Sequence, residues 1–205
     1  MTLLNLEDFP RVKEILESGG VFAYPTETVY GLGADPFQRE AVQKVLELKG
    51  RPLHQTPLLL IPNREWVGKL AKNISPLAER LMDRFWPGPL TIVFESSREI
   101  PSWLLRDDET IALRFSSHPW IEHFLSYYQK PIISTSANPS GEESARTAAQ
   151  VESYFSNGLS YVIDGGELQS TKSSTIISLK GASIQVLRKG DITIDQIQLF
   201  AHGTP

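Results

Sequence analysis

The sequence predicts a mixed α/β protein on three observations. Helical spacings of apolar residues alternate with short β-type runs along the chain. Glycine and proline punctuate the junctions between them. The 205 residues, 40% hydrophobic and 21% charged, are enough to bury a core, and one domain over 1–205 is the expectation.

Taken in order, residues 6–18 place Val12, Ile15 and Leu16 on one helical stripe and stop at Gly19-Gly20. Residues 21–24 read as a strand. The next helix, 39–48, carries Ala41, Val42, Val45, Leu46 and Leu48 and runs out at KGRP, where Gly50 and Pro52 end it. Residues 57–61 form a strand. Residues 75–86 open on a Ser-Pro cap, space Leu77, Leu81 and Phe85 four apart and close on PGP. A strand at 90–94 follows. Further β-type runs are TIALRF (110–115), PIISTS (131–136), YVID (161–164), STIISL (174–179) and SIQVL (183–187), with helices at 119–128 and 147–156. SGEESA (140–145) reads as a mobile loop, and no repeat or low-complexity linker interrupts the pattern.

Composition narrows the function classes. With no cysteine, disulfides, thiolate nucleophiles and cysteine-held metals are excluded, and His54, His118, His123 and His202 lack metal-ligand spacing, so no protein-held metal is expected. A net charge of −4 argues against a general nucleic-acid coat and leaves room for a local basic pocket. No apolar run is long enough for a membrane helix, and MTLLNLEDFPRVKE has neither a basic leader nor a small-residue cleavage site. A cytoplasmic protein without a membrane partner is therefore expected.

Several polar clusters stand at strand and helix ends. VFAYPTETVYGLG places TET directly after a buried-looking strand, the usual way to hold reactive groups on a loop fixed by a sheet. In LKGRP, Lys49 and Arg51 sit two apart past a helix end; in extended backbone both would project to one side and suit a polyphosphate. Taken alone, a solvated basic tip explains them as well. In ISTSANPSG, Ser134, Ser136 and Asn138 alternate in register after a strand. Arg114 ends an apolar strand, where a buried guanidinium wants an anion, either an internal carboxylate or a ligand. DGGELQSTKSST contributes Asp164, Ser173, Ser174 and Thr175, and LRKG contributes Arg188. None of these glycines matches a Walker-type or dinucleotide fingerprint.

Together and in this order, PTETVYGLG, KGRP, WPGPLT, ALRFSSHP, STSANPSG, DGG, SST and LRKG resemble the YrdC-like family, over residues 20–194. The KxR and SxN pairs, met by Lys49/Arg51 and Ser136/Asn138, resemble those of its TsaC-type threonylcarbamoyladenylate synthases. The resemblance implies a twisted open sheet of mixed parallel and antiparallel strands, with flanking helices around a positive cavity. It implies an enzyme, a nucleotidyltransferase, that takes L-threonine, bicarbonate and ATP to L-threonylcarbamoyladenylate and pyrophosphate. The product would pass to a separate tRNA threonylcarbamoyl transferase complex that modifies tRNA beside the anticodon, and direct tRNA contact is left open.

Carried over by position, the resemblance gives Lys49, Arg51, Ser136, Asn138 and Arg188 to ATP, with Thr110 near the nucleotide. It gives Thr28, Arg114, Ser134 and Ser174 to threonine or its carbamate. Gly31 and Gly33 would let backbone approach closely. Magnesium would be held mainly by the triphosphate, and no residue is assigned as acid, base or nucleophile.

Two departures stand out. Where relatives read RPxDNPLIVH this chain reads RPLHQTPLLL, with an apparent one-residue insertion that puts Gln55 or Thr56 in place of a family asparagine or lysine. Leu60 takes the place of a substrate-facing histidine of longer relatives, whose extra C-terminal domain is also not expected here. Three alternatives stay open: a non-catalytic RNA-binding module of the same fold, a family paralogue of another role, and a carbamoyl-handling relative of hydrogenase-maturation enzymes. The lack of acylphosphatase-like or zinc-finger segments counts against the last.

Overall fold

A computed structural model describes residues 2–52, 56–156, 158–159, 161–170, 172–180 and 184–202. Among these residues, ten strands form one sheet in the order β1-β8-β2-β3-β7-β4-β6-β5-β9-β10. The strands are β1 (Thr2–Leu4), β2 (Phe22–Tyr24), β3 (Gly31–Gly33), β4 (Leu58–Leu60), β5 (Leu90–Glu95), β6 (Thr110–Arg114), β7 (Ile132–Ser136), β8 (Tyr161–Ile163), β9 (Thr175–Ser178) and β10 (Gln185–Arg188). Pairings β1/β8, β8/β2, β4/β6 and β5/β9 are parallel and the other five antiparallel, which is the mixed open sheet expected.

Among the described residues seven α-helices flank the sheet: α1 (Phe9–Glu17), α2 (Arg39–Lys49), α3 (Glu65–Leu70), α4 (Pro76–Phe85), α5 (Pro119–Tyr128), α6 (Ala148–Tyr154) and α7 (Ile194–His202). Residues on successive strand positions point to opposite faces. Val21, Ala23, Leu59, Leu113 and Ile133 therefore join the core under α2, α3, α4, α6 and α7, with Val45, Val67, Leu81, Val151 and Ile197. Their neighbours Phe22, Tyr24, Leu60 and Ile132 join the opposite core under α1 and α5, with Leu16, Trp120 and Phe124. Leu60 is thus a core residue of β4, which accounts for an apolar side chain there.

The helix ends follow their sequence signals. Ser75 caps α4 by accepting a hydrogen bond from the Ala78 N–H at 3.1 Å. α2 closes on Gly50 in the left-handed conformation, φ 61°. It includes Lys49 as its last residue, one beyond the expected end, and that change reorients the lysine.

Four elements carried no expectation: β1, β3, α3 and α7. The strand expected at 183–187 runs Gln185–Arg188, and Ser183 lies outside the described residues, as do His54 and Gln55.

Candidate functional site

The second face of the sheet is apolar only where α1 and α5 cover it. On strands β4, β6, β7 and β9 the same face carries Leu58, Ala112, Arg114, Ser134, Ser136 and Ile176, and these line a cavity of about 520 Å³. Loop residues Thr26, Thr28, Arg51, Thr56, Arg106, Asp107, Asp108, Ser173 and Ser174 complete much of the wall, and Arg188 enters from β10. Four arginines against two aspartates give the lining an excess of cationic side chains.

The TET loop is built from its own hydroxyls. Thr26 Oγ1 donates to Val29 O at 2.7 Å and accepts from the Thr28 N–H at 3.1 Å, and the two threonine hydroxyls lie 2.9 Å apart. Tyr30 ties this loop to the DGG segment: its hydroxyl donates to Gly166 O and accepts from the Gly165 N–H, both at 2.9 Å.

Gly31 and Gly33 do provide close approach, but to rings of the same chain. A Cβ on Gly33 would stand 2.7 Å from Tyr24 Cε1 and 2.8 Å from Phe22 Cε1, and one on Gly31 would stand 3.1 Å from Tyr24 Cζ. These glycines serve sheet packing, although Gly31 also lines the cavity.

Arg114 has an internal carboxylate partner and still faces the cavity. Its guanidinium lines the cavity, and Nη2 pairs with Glu27 Oε1 at 2.8 Å, the two side chains only 4% and 15% exposed. Nη2 also reaches Thr28 Oγ1 at 3.4 Å and Nε donates to Gly88 O at 3.3 Å, while Nη1 has no protein acceptor among the described residues. Burial alone would raise the Glu27 carboxyl. The Arg114 charge and hydrogen bonds from Arg114, Ser116 and Ser117 outweigh burial and hold it below the ordinary glutamate range. Glu27 was not singled out from the sequence; its only signal was its place between two threonines at a strand end.

Arg188 turns back on β9, donating through Nε to Ser174 O at 3.0 Å and through Nη2 to Ser174 Oγ at 2.8 Å. Ser174 Oγ also lies 2.9 Å from Thr91 Oγ1. Burial, then the charges of Arg114 and Arg51, push Arg188 down to about 10. Among the described residues it has no carboxylate partner in an ion pair.

Seven of the ten candidate residues, Thr28, Arg51, Arg114, Ser134, Ser136, Ser174 and Arg188, line one cavity. Three stand behind its wall. Lys49 is 1% exposed and spends its amine on Ser136 and Asn138, so it is neither on a solvated tip nor beside Arg51 in extended backbone. Asn138 is buried, donating to Pro139 O and Glu142 O at 2.8 Å each, against the expectation that it faces a ligand. Thr110 is buried at the start of β6 and donates to Oδ1 of Asp108, a cavity-lining residue, at 2.5 Å. Arg106 and Asp108 were missed; they precede TIALRF, and a charged run before a strand reads as an ordinary loop.

The fold and this site define a class: a mixed-sheet α/β protein with an arginine-lined, hydroxyl-rich cavity over one sheet face. A family model described as "Telomere recombination", for Sua5, YciO and YrdC proteins, matches residues 14–190, and the chain belongs to that family. It is 37% identical over 183 residues to a threonylcarbamoyl-AMP synthase of Pyrococcus abyssi, covering 89% of this chain and 54% of the relative. With the synthase of Marinobacter nauticus it shares 36% identity over 168 residues, 82% of this chain and 88% of the relative. A crystal structure of P. abyssi Sua5 complexed with L-threonine superimposes with a TM-score of 0.92 at 33% identity, covering 98% of this chain and 61% of that one. The chain thus spans little more than half of the archaeal protein and most of the bacterial one.

Proposed function

We propose that the protein is an L-threonylcarbamoyladenylate synthase, a nucleotidyltransferase that converts L-threonine, bicarbonate and ATP to the adenylate and pyrophosphate. The product would serve threonylcarbamoyladenosine formation in tRNA next to the anticodon, through a separate transferase complex. The observation that carries this reading is the near-complete superposition of this chain on a structure of P. abyssi Sua5 complexed with L-threonine, combined with a cavity that supplies cations and hydroxyls.

The chemistry needs alignment and charge neutralisation. The threonine amine takes up a carboxyl group from bicarbonate, whose C–OH bond breaks with release of water, and an oxygen of the resulting N-carboxylate attacks the α-phosphate as the bond to the departing pyrophosphate breaks in line. Arg114 suits the threonine carboxylate through its uncommitted Nη1, with Glu27 and Gly88 fixing the plane of the guanidinium. Thr28 and Ser134 offer hydroxyls beside it. Arg51 and Arg188, on the same wall, suit the phosphates, with Ser136 as a neutral donor, and Ser174 adds a further hydroxyl for threonine or its carbamate. Lys49, Asn138 and Thr110 contribute from behind. Magnesium would arrive with the triphosphate and keep phosphate and water ligands; among the described residues no group of three His, Asp or Glu stands close enough to hold a metal. No helix of the described residues is long and apolar enough to cross a membrane.

The test is incubation of the purified protein with ATP, bicarbonate and labelled threonine. Pyrophosphate and the adenylate should appear together, and threonine alone should give almost nothing, because only the carboxylated amine attacks phosphorus. Serine should work poorly but measurably, since one missing methyl is worth about 1–3 kcal/mol of discrimination. ATP cleavage independent of bicarbonate or of threonine would overturn the synthase reading. Retained tRNA affinity without turnover would favour the binding-module alternative.

A further inference from the structure

Lys49 belongs to the KxR pair, yet its surroundings leave it nothing to give a phosphate. An ammonium carries three donors and no acceptor. Here Nζ donates to Asn138 O at 2.7 Å, to Ser136 O, and at a longer 3.4 Å to Ser136 Oγ. All three partners lie on the segment that leaves β7, and none is a carboxylate. The side chain is 1% exposed and is not part of the cavity wall, whereas Arg51 is.

The contact is one strand of a longer fastening. The Ser140 N–H donates to Lys49 O at 2.9 Å, and Arg51 Nε donates to Ser140 Oγ at 3.2 Å. Within the same turn the Asn138 N–H bonds Ser136 O at 3.0 Å and the Asn138 amide donates to Pro139 O and Glu142 O. Two residues at the end of α2, Lys49 and Arg51, are therefore engaged with the turn 136–140, on either side of the left-handed Gly50. That turn sets where Ser136 presents its hydroxyl to the cavity. Burial, then the nearby charges of Arg51 and Arg188, bring the amine down to about 7, as befits a buried lysine near two guanidinium groups and without a carboxylate among its hydrogen-bond partners.

We propose that Lys49 is a positioning residue: it clasps the 136–140 turn to the end of α2, so that Ser136 and Arg51 meet the nucleotide, and does not itself hold a phosphate. The proposal rests on the synthase reading for the nucleotide, but the clasp is a property of the free protein. A phosphate ligand and a clasp differ in what their loss does. Removing a phosphate ligand weakens binding in proportion to the phosphates present; loosening the clasp misplaces the wall for every nucleotide.

The experiment compares Lys49→Met, which keeps the stem and removes the amine, with Arg51→Ala. Binding of ATP, AMP and adenosine is measured by calorimetry, and backbone amide exchange is followed across 136–142. For Lys49→Met, ATP and AMP affinities should fall by the same factor, on the order of tenfold to a hundredfold, and the protected Ser140 amide should exchange faster. Arg51→Ala should lose ATP affinity more than adenosine affinity. A Lys49→Met loss confined to ATP, with unchanged exchange at Ser140, makes Lys49 a phosphate ligand and overturns the proposal, as does unchanged binding of all three.

If Lys49→Met does not fold, amine labelling of the native protein decides. Lys49 should stay unlabelled beside the exposed Lys13 with or without ATP. Ready labelling that ATP suppresses would overturn the clasp. Failure of the native protein to bind any nucleotide would remove the synthase reading, while Ser140 exchange and Lys49 labelling would still judge the clasp.

Discussion

The Arg114–Glu27 pair keeps a buried guanidinium neutralised while leaving part of it on the cavity wall. The guanidinium is buried, so it needs a permanent anion, and Glu27 supplies it while Nη1 remains for a substrate carboxylate. Arg114→Ala leaves Glu27 buried beside Ser116 and Ser117 with no counter-charge, and removing one partner of a buried pair costs about 3–5 kcal/mol. The variant should melt markedly lower, and its folded fraction should need far more threonine with a much smaller change in the ATP requirement; steady-state titration of each substrate checks the split. Lys49 makes a pH prediction of opposite character. Its folded pKa is depressed to about 7, below the ordinary lysine value of about 10.4. Between the two the unfolded chain holds a proton that the folded chain lacks, so stability should rise with pH there, and below about 7 the full burial penalty stands. Denaturant midpoints from about pH 6 to 9.5 should climb in the native protein, and the climb should flatten in Lys49→Met.

Among the elements, β10 and the loop before β9 are held in contact by a glycine. A Cβ on Gly190 would stand 2.3 Å from Ser173 O and 2.4 Å from Thr175 N, backbone atoms that cannot swing aside. Gly190→Ala should therefore push the end of β10 off β9, and overpacking of this kind costs about 1–3 kcal/mol. Because Arg188 reaches Ser174 across that contact, the variant should also need more ATP at temperatures where it is fully folded; thermal melts paired with ATP titrations measure both. The same element explains what the sequence could and could not reveal. Strands such as β5 and β6 and helices such as α4 and α5 were legible because their own residues carry the apolar period and the caps. β3 was not, since Gly-Leu-Gly has little strand propensity and exists as a strand through its pairing with β2 and β7. β1 is equally short and pairs with β8, distant in sequence. For the site, cavity-lining residues at strand ends could be found from alternation and the family motifs. The burial of Lys49 could not, because it follows from one extra residue of helix and the direction that residue takes.

At the scale of the whole molecule, the cavity sits where the second face of the sheet loses its helical cover. α1 and α5 bury Phe22, Tyr24, Leu60 and Ile132 on one part of that face, and at the other ends of β4 and β7 and on β6 and β9 the same face opens to the cavity with Ser134, Ser136 and Arg114 among its residues. The cavity floor is the back of the main core: Leu59, Leu113 and Ile133 pack under it while Leu58, Arg114 and Ser134 line it. We infer that both cores and the cavity form one cooperative domain, since β2, β4 and β7 contribute side chains to each core. A ligand that bridges the TET loop, β6, β7 and Arg188 then stabilises the entire fold, by about 2.7 kcal/mol when its free concentration is a hundred times its dissociation constant. Calorimetric unfolding should give one transition, and magnesium-ATP with threonine should move it upward as a whole, further than ATP alone. Arg51→Ala should reduce the ATP-dependent part of the shift and Arg114→Ala the threonine-dependent part. Two transitions, or a shift confined to part of the unfolding heat, would show that the cavity belongs to a subunit of the fold that melts separately, and the single-domain inference would fail.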